Sequence, residues 1–197
     1  MIRSERITTD IMSFVLYKGR PDNTEGRLDK EIRTYDFLDE LGIEYYRLDH
    51  EPADSEHPGV CEEVEASLGA KICKNLFLAN RQRTKFYMLM IPAEKTFRSS
   101  DVSKQAGSSR LHFAEPEYML DLVGTTPGSA SVMGLINDTE NKVQLLVDED
   151  LLTQEYIGCH PCINTSSLRI RREDIFGKFL EAVGHDWITI KVDQGSK

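Results

Sequence analysis

The chain has 197 residues, with 24 Lys and Arg against 33 Asp and Glu, a formal net charge of −9. That balance excludes a uniformly basic surface that holds nucleic acid by bulk charge. A 40% hydrophobic, 29% charged composition excludes a disordered chain or a disulfide-stapled miniprotein and is enough for a real core. In chain order, Met12 to Tyr17 is a short apolar run read as an N-terminal strand or arm, and Arg20 to Gly26 reads as a connecting loop. Asp29 is expected to cap a helix whose Ile32, Tyr35, Leu38 and Leu41 recur at helical spacing before Gly42. Glu44 to Leu48 suits a strand, and Val60 to Leu68 a helix stopped by Gly69. Asn75 to Ala79 and Phe86 to Ile91 form a hairpin around Asn80 to Thr84. Ser99 or Ser100 is expected to cap a helix through Gln105, and Pro116 to open one through Leu122. Strands follow at Val143 to Val147 and Ser167 to Ile170, then an amphipathic helix from Ile175 to Val183, with Trp187 to Val192 closing the sheet. An antiparallel hairpin among alternating strands and helices predicts an α+β fold, a single domain with a central mixed, twisted sheet covered by helices.

No apolar run approaches the roughly 20 residues of a membrane span. The N-terminal MIRSERITTD lacks the apolar core of a signal peptide. Four unevenly spaced Cys suit a reduced setting, so a cytoplasmic protein with no membrane partner is expected. The mean charge hides an asymmetry. Between Lys71 and Arg110 lie nine basic residues, Lys71, Lys74, Arg81, Arg83, Lys85, Lys95, Arg98, Lys104 and Arg110, against only Glu94 and Asp101. This stretch is +7, which leaves −16 on the other 157 residues. It is either a set of solvated strand and turn side chains or a local anion-binding face. On the second reading Arg81, Arg83, Lys85, Lys95 and Arg98 face a phosphate backbone.

Four segments hold residue types that can do chemistry. Cys159-His160-Pro161-Cys162 has the spacing of a redox dithiol or half a zinc site. It lies too late for a thioredoxin-type βα unit, and Cys61 and Cys73 are poorly spaced to complete four zinc ligands. Small residues flanking a functional His-Pro turn is the reading preferred. Lys74, just before an apolar strand, is either a held cation or a solvated strand-end lysine. The Gly124-to-Ser131 stretch, TTPGSAS in its core, exposes backbone amides and lets a ligand approach Gly128 closely. It matches neither phosphate-loop nor dinucleotide fingerprint, so no cofactor and no metal are expected. Asp148 ends a strand, where it can line a pocket or cap the next helix.

Lys74-Asn75-Leu76-Phe77-Leu78, the Pro127-Gly128-Ser129 loop running into Gly134-Leu135-Ile136-Asn137-Asp138, Val147-Asp148 and His160-Pro161 with Asn164-Thr165 occur in one register. In that order and spacing the chain resembles the YbaK/prolyl-tRNA-synthetase-associated domain family. More narrowly it is similar to its freestanding ProX/PrdX-type editing proteins, over roughly residues 27–192. Residues 1–26 then form an arm and loop, 27–192 the editing domain, and 193–197 a tail. The resemblance implies that fold and a cytoplasmic hydrolase, an aminoacyl-tRNA deacylase of translation fidelity. Its substrate is mischarged tRNA, chiefly Ala-tRNA(Pro), bound by the acceptor end, with Arg81, Arg83, Lys85, Lys95 and Arg98 on the tRNA, no DNA expected and prolyl-tRNA synthetase or an elongation factor as transient partners. It further implies that Lys74 contacts the terminal adenosine. The loop Gly128, Ser129, Ala130, Ser131, Val132 surrounds the ester and a water positioned by the adenosine 2′-hydroxyl. His160 bounds the aminoacyl pocket, Asp148 holds the α-amino group, and Asn75, Met133, Gly134 and Asn164 line the pocket. Val132 stands where the family loop often has Pro, so a fixed φ is lost and an amide gained. The alternatives are a non-catalytic tRNA- or amino-acid-binding regulator of amino-acid metabolism, and editing of another small aminoacyl-tRNA such as Cys-tRNA(Pro).

Overall fold

A computed structural model describes residues 14–52 and 59–193. Residues 12 and 13 of the expected N-terminal run lie outside these. The rest of that run forms only the edge strand β1 (Tyr17–Lys18), on β2 (Tyr45–Asp49). Between them lies α1 (Asp29–Glu40), with Leu28 at the cap position and no side-chain cap bond. Asp29, expected as the cap, is instead the first helical residue, where its carboxylate suits the positive end of the helix. Helix α2 (Val60–Leu68) ends as expected at Gly69, whose φ of 65° is the left-handed conformation a side chain resists. The hairpin is β3 (Lys71–Ala79) and β4 (Phe86–Pro92), paired Cys73↔Pro92 through Ala79↔Phe86.

In α3 (Ser99–Gln105) the cap residue is Arg98, because the Ser99 hydroxyl is spent on the Leu111 carbonyl. Strand β5 (His112–Phe113) leads to α4 (Pro116–Val123), with Pro116 in the first turn as expected. A 3₁₀ segment, Val132–Asn137, precedes β6 (Val143–Asp148). Then come β7 (Tyr156–Cys159) and β8 (Ser166–Arg171). The expected C-terminal helix is broken into α5 (Arg172–Asp174), a π-helical Ile175–Phe179 and α6 (Leu180–Val183). Strand β9 (Trp187–Ile190) ends the sheet.

The strands run β1-β2-β8-β7-β3-β4-β6-β9, with β5 also on β3. Pairing is mixed: β3–β7, β4–β6 and β6–β9 are parallel, the remainder antiparallel. Side chains alternate across β3. Cys73 and Phe77 enter the larger core with α1, α4 and the 3₁₀ segment, whereas Leu76 and Leu78 face the smaller core under α3.

Strand β3 sets the stage for function. On the edge away from β4 its start pairs with β7, ending at Ile72↔Gly158, and its end pairs with β5, Leu78↔Phe113 and Ala79↔His112. Among the described residues no strand pairs with the stretch between. The sheet therefore opens a gap beside residues 73–77, and β7 leads straight from it into the His160 turn.

Candidate active site

Two loops meet beside this gap. Ser131 donates its hydroxyl proton to the His160 carbonyl and accepts from the Met133 amide at 3.1 Å, capping the 3₁₀ segment. Ser129 is held by its own turn, bonding the Thr126 carbonyl at 3.0 Å, and receives Lys30 Nζ from α1 at 3.3 Å. Gly128 projects outward at φ 85° with open space where a side chain would be. His160 is half-buried, and its Nδ1 lies 3.0 Å from the Ser166 carbonyl. A carbonyl only accepts, so Nδ1 carries the proton and Nε2 is left as an acceptor. Burial lowers the pKa of His160; the Ser166 carbonyl opposes this and His50 adds to it. The ring is neutral at pH 7.

Lys74 and Asn75 reach the gap from opposite faces of β3. Lys74 is half-buried on the α3 face and donates to the Ala93 carbonyl at 2.9 Å. Burial lowers its pKa, with only Glu94 opposing. Asn75 lies on the larger-core face, 8% exposed. Its amide nitrogen makes long contacts to Cys73, 3.5 Å to the carbonyl and 3.6 Å to Sγ, while among the described residues its buried Oδ1 has no partner. A buried acceptor left empty is costly and uncommon. Cys73, Cys159 and Cys162 share this core, and burial drives their thiols up, to about 12 for Cys73 and about 11 for Cys162. They are inert packing here, with Cys162 held at φ 62° and touched by the Thr34 hydroxyl. Among the described residues no three His, Cys, Asp or Glu side chains form a metal-binding group.

Other expected residues are engaged elsewhere. Asp148 is wholly buried and accepts from Lys95 Nζ at 2.7 Å, the Val192 amide at 2.8 Å and the Asp150 amide at 3.1 Å. It has no free oxygen for a substrate amine. Lys95, expected on tRNA, is 3% exposed and bridges Asp148 and Asp150, each at 2.7 Å. Burial works against its charge, but those two carboxylates outweigh it and raise its pKa. Both expectations fail because the two side chains satisfy each other. Arg83 is tied to Glu115, whereas Arg81, Lys85 and Arg98 stand exposed. Gly134 has a packing reason: a Cβ there would lie 2.7 Å from the Val123 carbonyl. Val132 and Met133 are fully buried beneath the loop, Ala130 and Asn164 half-buried at its surface.

Sequence reasoning missed Lys30, Thr34, His50 and Ser167. His50 Nε2 lies 2.9 Å from Ser167 Oγ, which in turn lies 3.5 Å from His160 Nδ1. Beside them Arg27 and Arg47 bind Asp49, and Arg27 also binds Glu31 at 2.6 Å. Burial would raise the Asp49 carboxyl, but the two guanidiniums hold it well below the usual range. No local pattern marks these residues, whose partners lie up to 128 positions away.

The model of the aminoacyl-tRNA editing domain matches residues 57–177, more than half of the chain and all of the gap with its two loops. The chain belongs to the aminoacyl-tRNA editing domain family. Its activity class is accordingly aminoacyl-tRNA deacylation. Relatives include the prolyl-tRNA editing protein ProX of Acetoanaerobium sticklandii, 25% identical over 79% of this chain and 93% of that protein. The prolyl-tRNA synthetase associated domain-containing protein 1 of Xenopus laevis is 29% identical over 80% and 98%. A crystal structure described as a candidate trans-editing enzyme for prolyl-tRNA synthetase superposes with a TM-score of 0.63 at 17% identity, covering 85% of this chain and 99% of that one. That likeness bears on the fold, and the mixed sheet with helical cover is the architecture of this editing domain. Among the described residues no helix is long and apolar enough to cross a membrane.

Proposed function

We infer that the protein acts in trans, in the cytoplasm, to hydrolyse Ala-tRNA(Pro), releasing alanine and free tRNA. A synthetase pocket shaped for proline rejects a smaller apolar side chain by only about 1–3 kcal/mol per methylene. A second, smaller pocket supplies the missing discrimination. The observation that carries the reading is the Ser131-to-His160 bond, which holds the Gly128 loop and the His160 turn together at the one gap in β3 pairing among the described residues. Among the described residues, valences left unspent lie on the elements that border it: Asn75 Oδ1 on β3, His160 Nε2 on the turn and the open backbone around Gly128 on the loop.

In this mechanism the ester carbonyl lies against the Gly128 loop, whose amides stabilise the developing oxyanion. With Asp148 closed off, the α-ammonium of alanine is taken by Asn75 Oδ1 and the neutral His160 Nε2. Lys74, on the other face of β3, meets the phosphate of the terminal adenosine as a point charge. The adenosine 2′-hydroxyl orients the attacking water, so the protein supplies position and electrostatics rather than a nucleophile. Names borne by two relatives support tRNA(Pro) as the carrier. The test is release of labelled alanine from Ala-tRNA(Pro), with Cys-tRNA(Pro) and Pro-tRNA(Pro) alongside. Fast release of alanine, lost in Lys74→Ala, is expected; release no faster than the spontaneous rate sinks the reading, and preferential release of cysteine moves the specificity.

A further inference from the structure

The nine basic residues between Lys71 and Arg110 separate into two groups once folded. Lys71 pairs with Glu65, Lys74 with a carbonyl, Arg83 with Glu115, and Lys95 with two aspartates. The side chains of Arg81, Lys85, Arg98, Lys104 and Arg110 are exposed and make no ion pair or hydrogen bond among the described residues. Lys104 and Arg110 line a groove of about 560 Å³ with Ser99, Ser100, Ser103 and Ser108. The lining is hydroxyl and cation, with no apolar side chain. Ser99 and Ser103 spend their hydroxyls on the Leu111 and Ser99 carbonyls, but among the described residues the buried Ser108 Oγ has no partner. Asp101, the one acid of α3, is bonded by Ser100 at 3.0 Å.

Next to this groove Phe113 is 61% exposed on β5 and meets Phe97 edge-on at 5.7 Å. Phe113 pairs with Leu78, on the same face of β3 as Lys74. Four residues of strand separate Lys74 from that point, roughly 13 Å at about 3.3 Å per residue. Beyond the groove, Ser109 Oγ meets Gln82 at 3.2 Å and joins it to the hairpin tip that carries Arg81 and Lys85. Lys74, an exposed Phe113 backed by half-buried Phe97, a cationic groove and a cationic tip thus follow one another along the chain's β3, β5 and hairpin-tip side. An exposed ring flanked by cations is the arrangement that holds single-stranded RNA, a base on the ring and phosphates on the cations.

We propose that Phe97 and Phe113, with the groove of Lys104, Ser108 and Arg110, form a track for the unpaired 3′ end of the substrate tRNA. A base stacks on Phe113, and the phosphates that follow take Lys104 and Arg110. For the identity of its ligand the proposal rests on the deacylase reading, and it adds the path by which the RNA reaches the gap.

The test measures binding of uncharged tRNA(Pro) transcript to the full-length protein by fluorescence anisotropy over a salt series, with thermal melting to confirm folding. Phe113→Ala is expected to weaken binding about tenfold. The double variant Lys104→Gln, Arg110→Gln is expected to flatten the plot of log affinity against log salt by about 1.4, two contacts at about 0.7 each on a single strand. Lys142→Gln removes an exposed charge elsewhere and leaves both quantities alone. For a transcript lacking the unpaired 3′ nucleotides, Phe113→Ala loses its effect. Wild-type affinity in Phe113→Ala, a wild-type slope in the double variant, or an equal Phe113 effect on the shortened transcript each overturns the track. These binding shifts without any alanine release sink the deacylase reading alone; alanine release with binding unmoved sinks the track alone.

Discussion

Two strands in this molecule, β6 at its end and β3 at its unpaired middle, carry side chains of similar chemistry and opposite fate. At the end of β6, Asp148 and Lys95 are buried together, and each finds its partners within the protein. At the gap in β3, among the described residues, Lys74 has one carbonyl, Asn75 Oδ1 no partner, and His160 Nε2 no hydrogen bond. A charge whose hydrogen bonds are complete is part of the scaffold. An acceptor buried and left empty costs stability, and at the gap that makes Asn75 a candidate for contact with a ligand. Saturation of valence, more than residue type, separates the two.

That contrast can be broken by experiment. Asp148→Ala leaves the Lys95 ammonium buried beside Asp150 alone and is expected to cost about 3–5 kcal/mol of stability in urea unfolding. A loss under 1 kcal/mol would return Asp148 to the list of site residues. Lys74→Ala should do the reverse, lowering kcat/KM for Ala-tRNA(Pro) about 100-fold while the melting temperature holds or rises, because burial already works against that ammonium. Asn75→Leu replaces an unsatisfied amide by an apolar side chain of similar size. Its stability should stay within about 1 kcal/mol of the parent while deacylation falls; a large unfolding penalty would make Asn75 scaffold.

Weaker effects sharpen the picture. His50 and His160 both have pKa values lowered, chiefly by burial. The folded state therefore prefers them neutral, and their contribution is complete above the ordinary histidine value of about 6.5. It is lost as pH falls from there through their folded values. Urea midpoints should decline below about pH 6.5, less steeply in His50→Gln. Smallest of all, mild alkylation at pH 8 should modify exposed Cys61 and spare Cys73, Cys159 and Cys162, whose thiols are buried and protonated. Rapid modification of Cys162 would reopen a redox role for the His160 turn.

Local chemistry made much of the scaffold legible. Val60 to Leu68 with Gly69, the hairpin around Asn80 and the Pro116 helix each carry their own stop, turn or start signal, and fold as read. Strand β7 escaped notice because Tyr156-Ile-Gly-Cys159 looks like a loop. Gly158 is required there by its neighbour, since a Cβ would meet Ile72 and the Lys71 carbonyl at 3.0 Å. The π-helical turn in Ile175–Phe179 has no signature in its apolar spacing. In the site, the loop residues were visible as small, turn-forming types. The pairing of Lys95 with Asp148, 53 positions apart, and of Lys30 with Ser129, 99 apart, was not. Those contacts are set by sheet order, which propensity does not encode.

The interrupted pairing along β3 has a cost of another kind. A strand edge with unanswered amides and carbonyls invites a strand from another molecule, and natural sheets guard such edges. Here Val132, Met133, Cys159 and Cys162 pack in the same core cluster as Cys73 and Phe77, so the loops at the gap also shield it. Loosening them would bare a template for self-association, and the need to keep that edge covered thereby limits how mobile the loops of the candidate site can become.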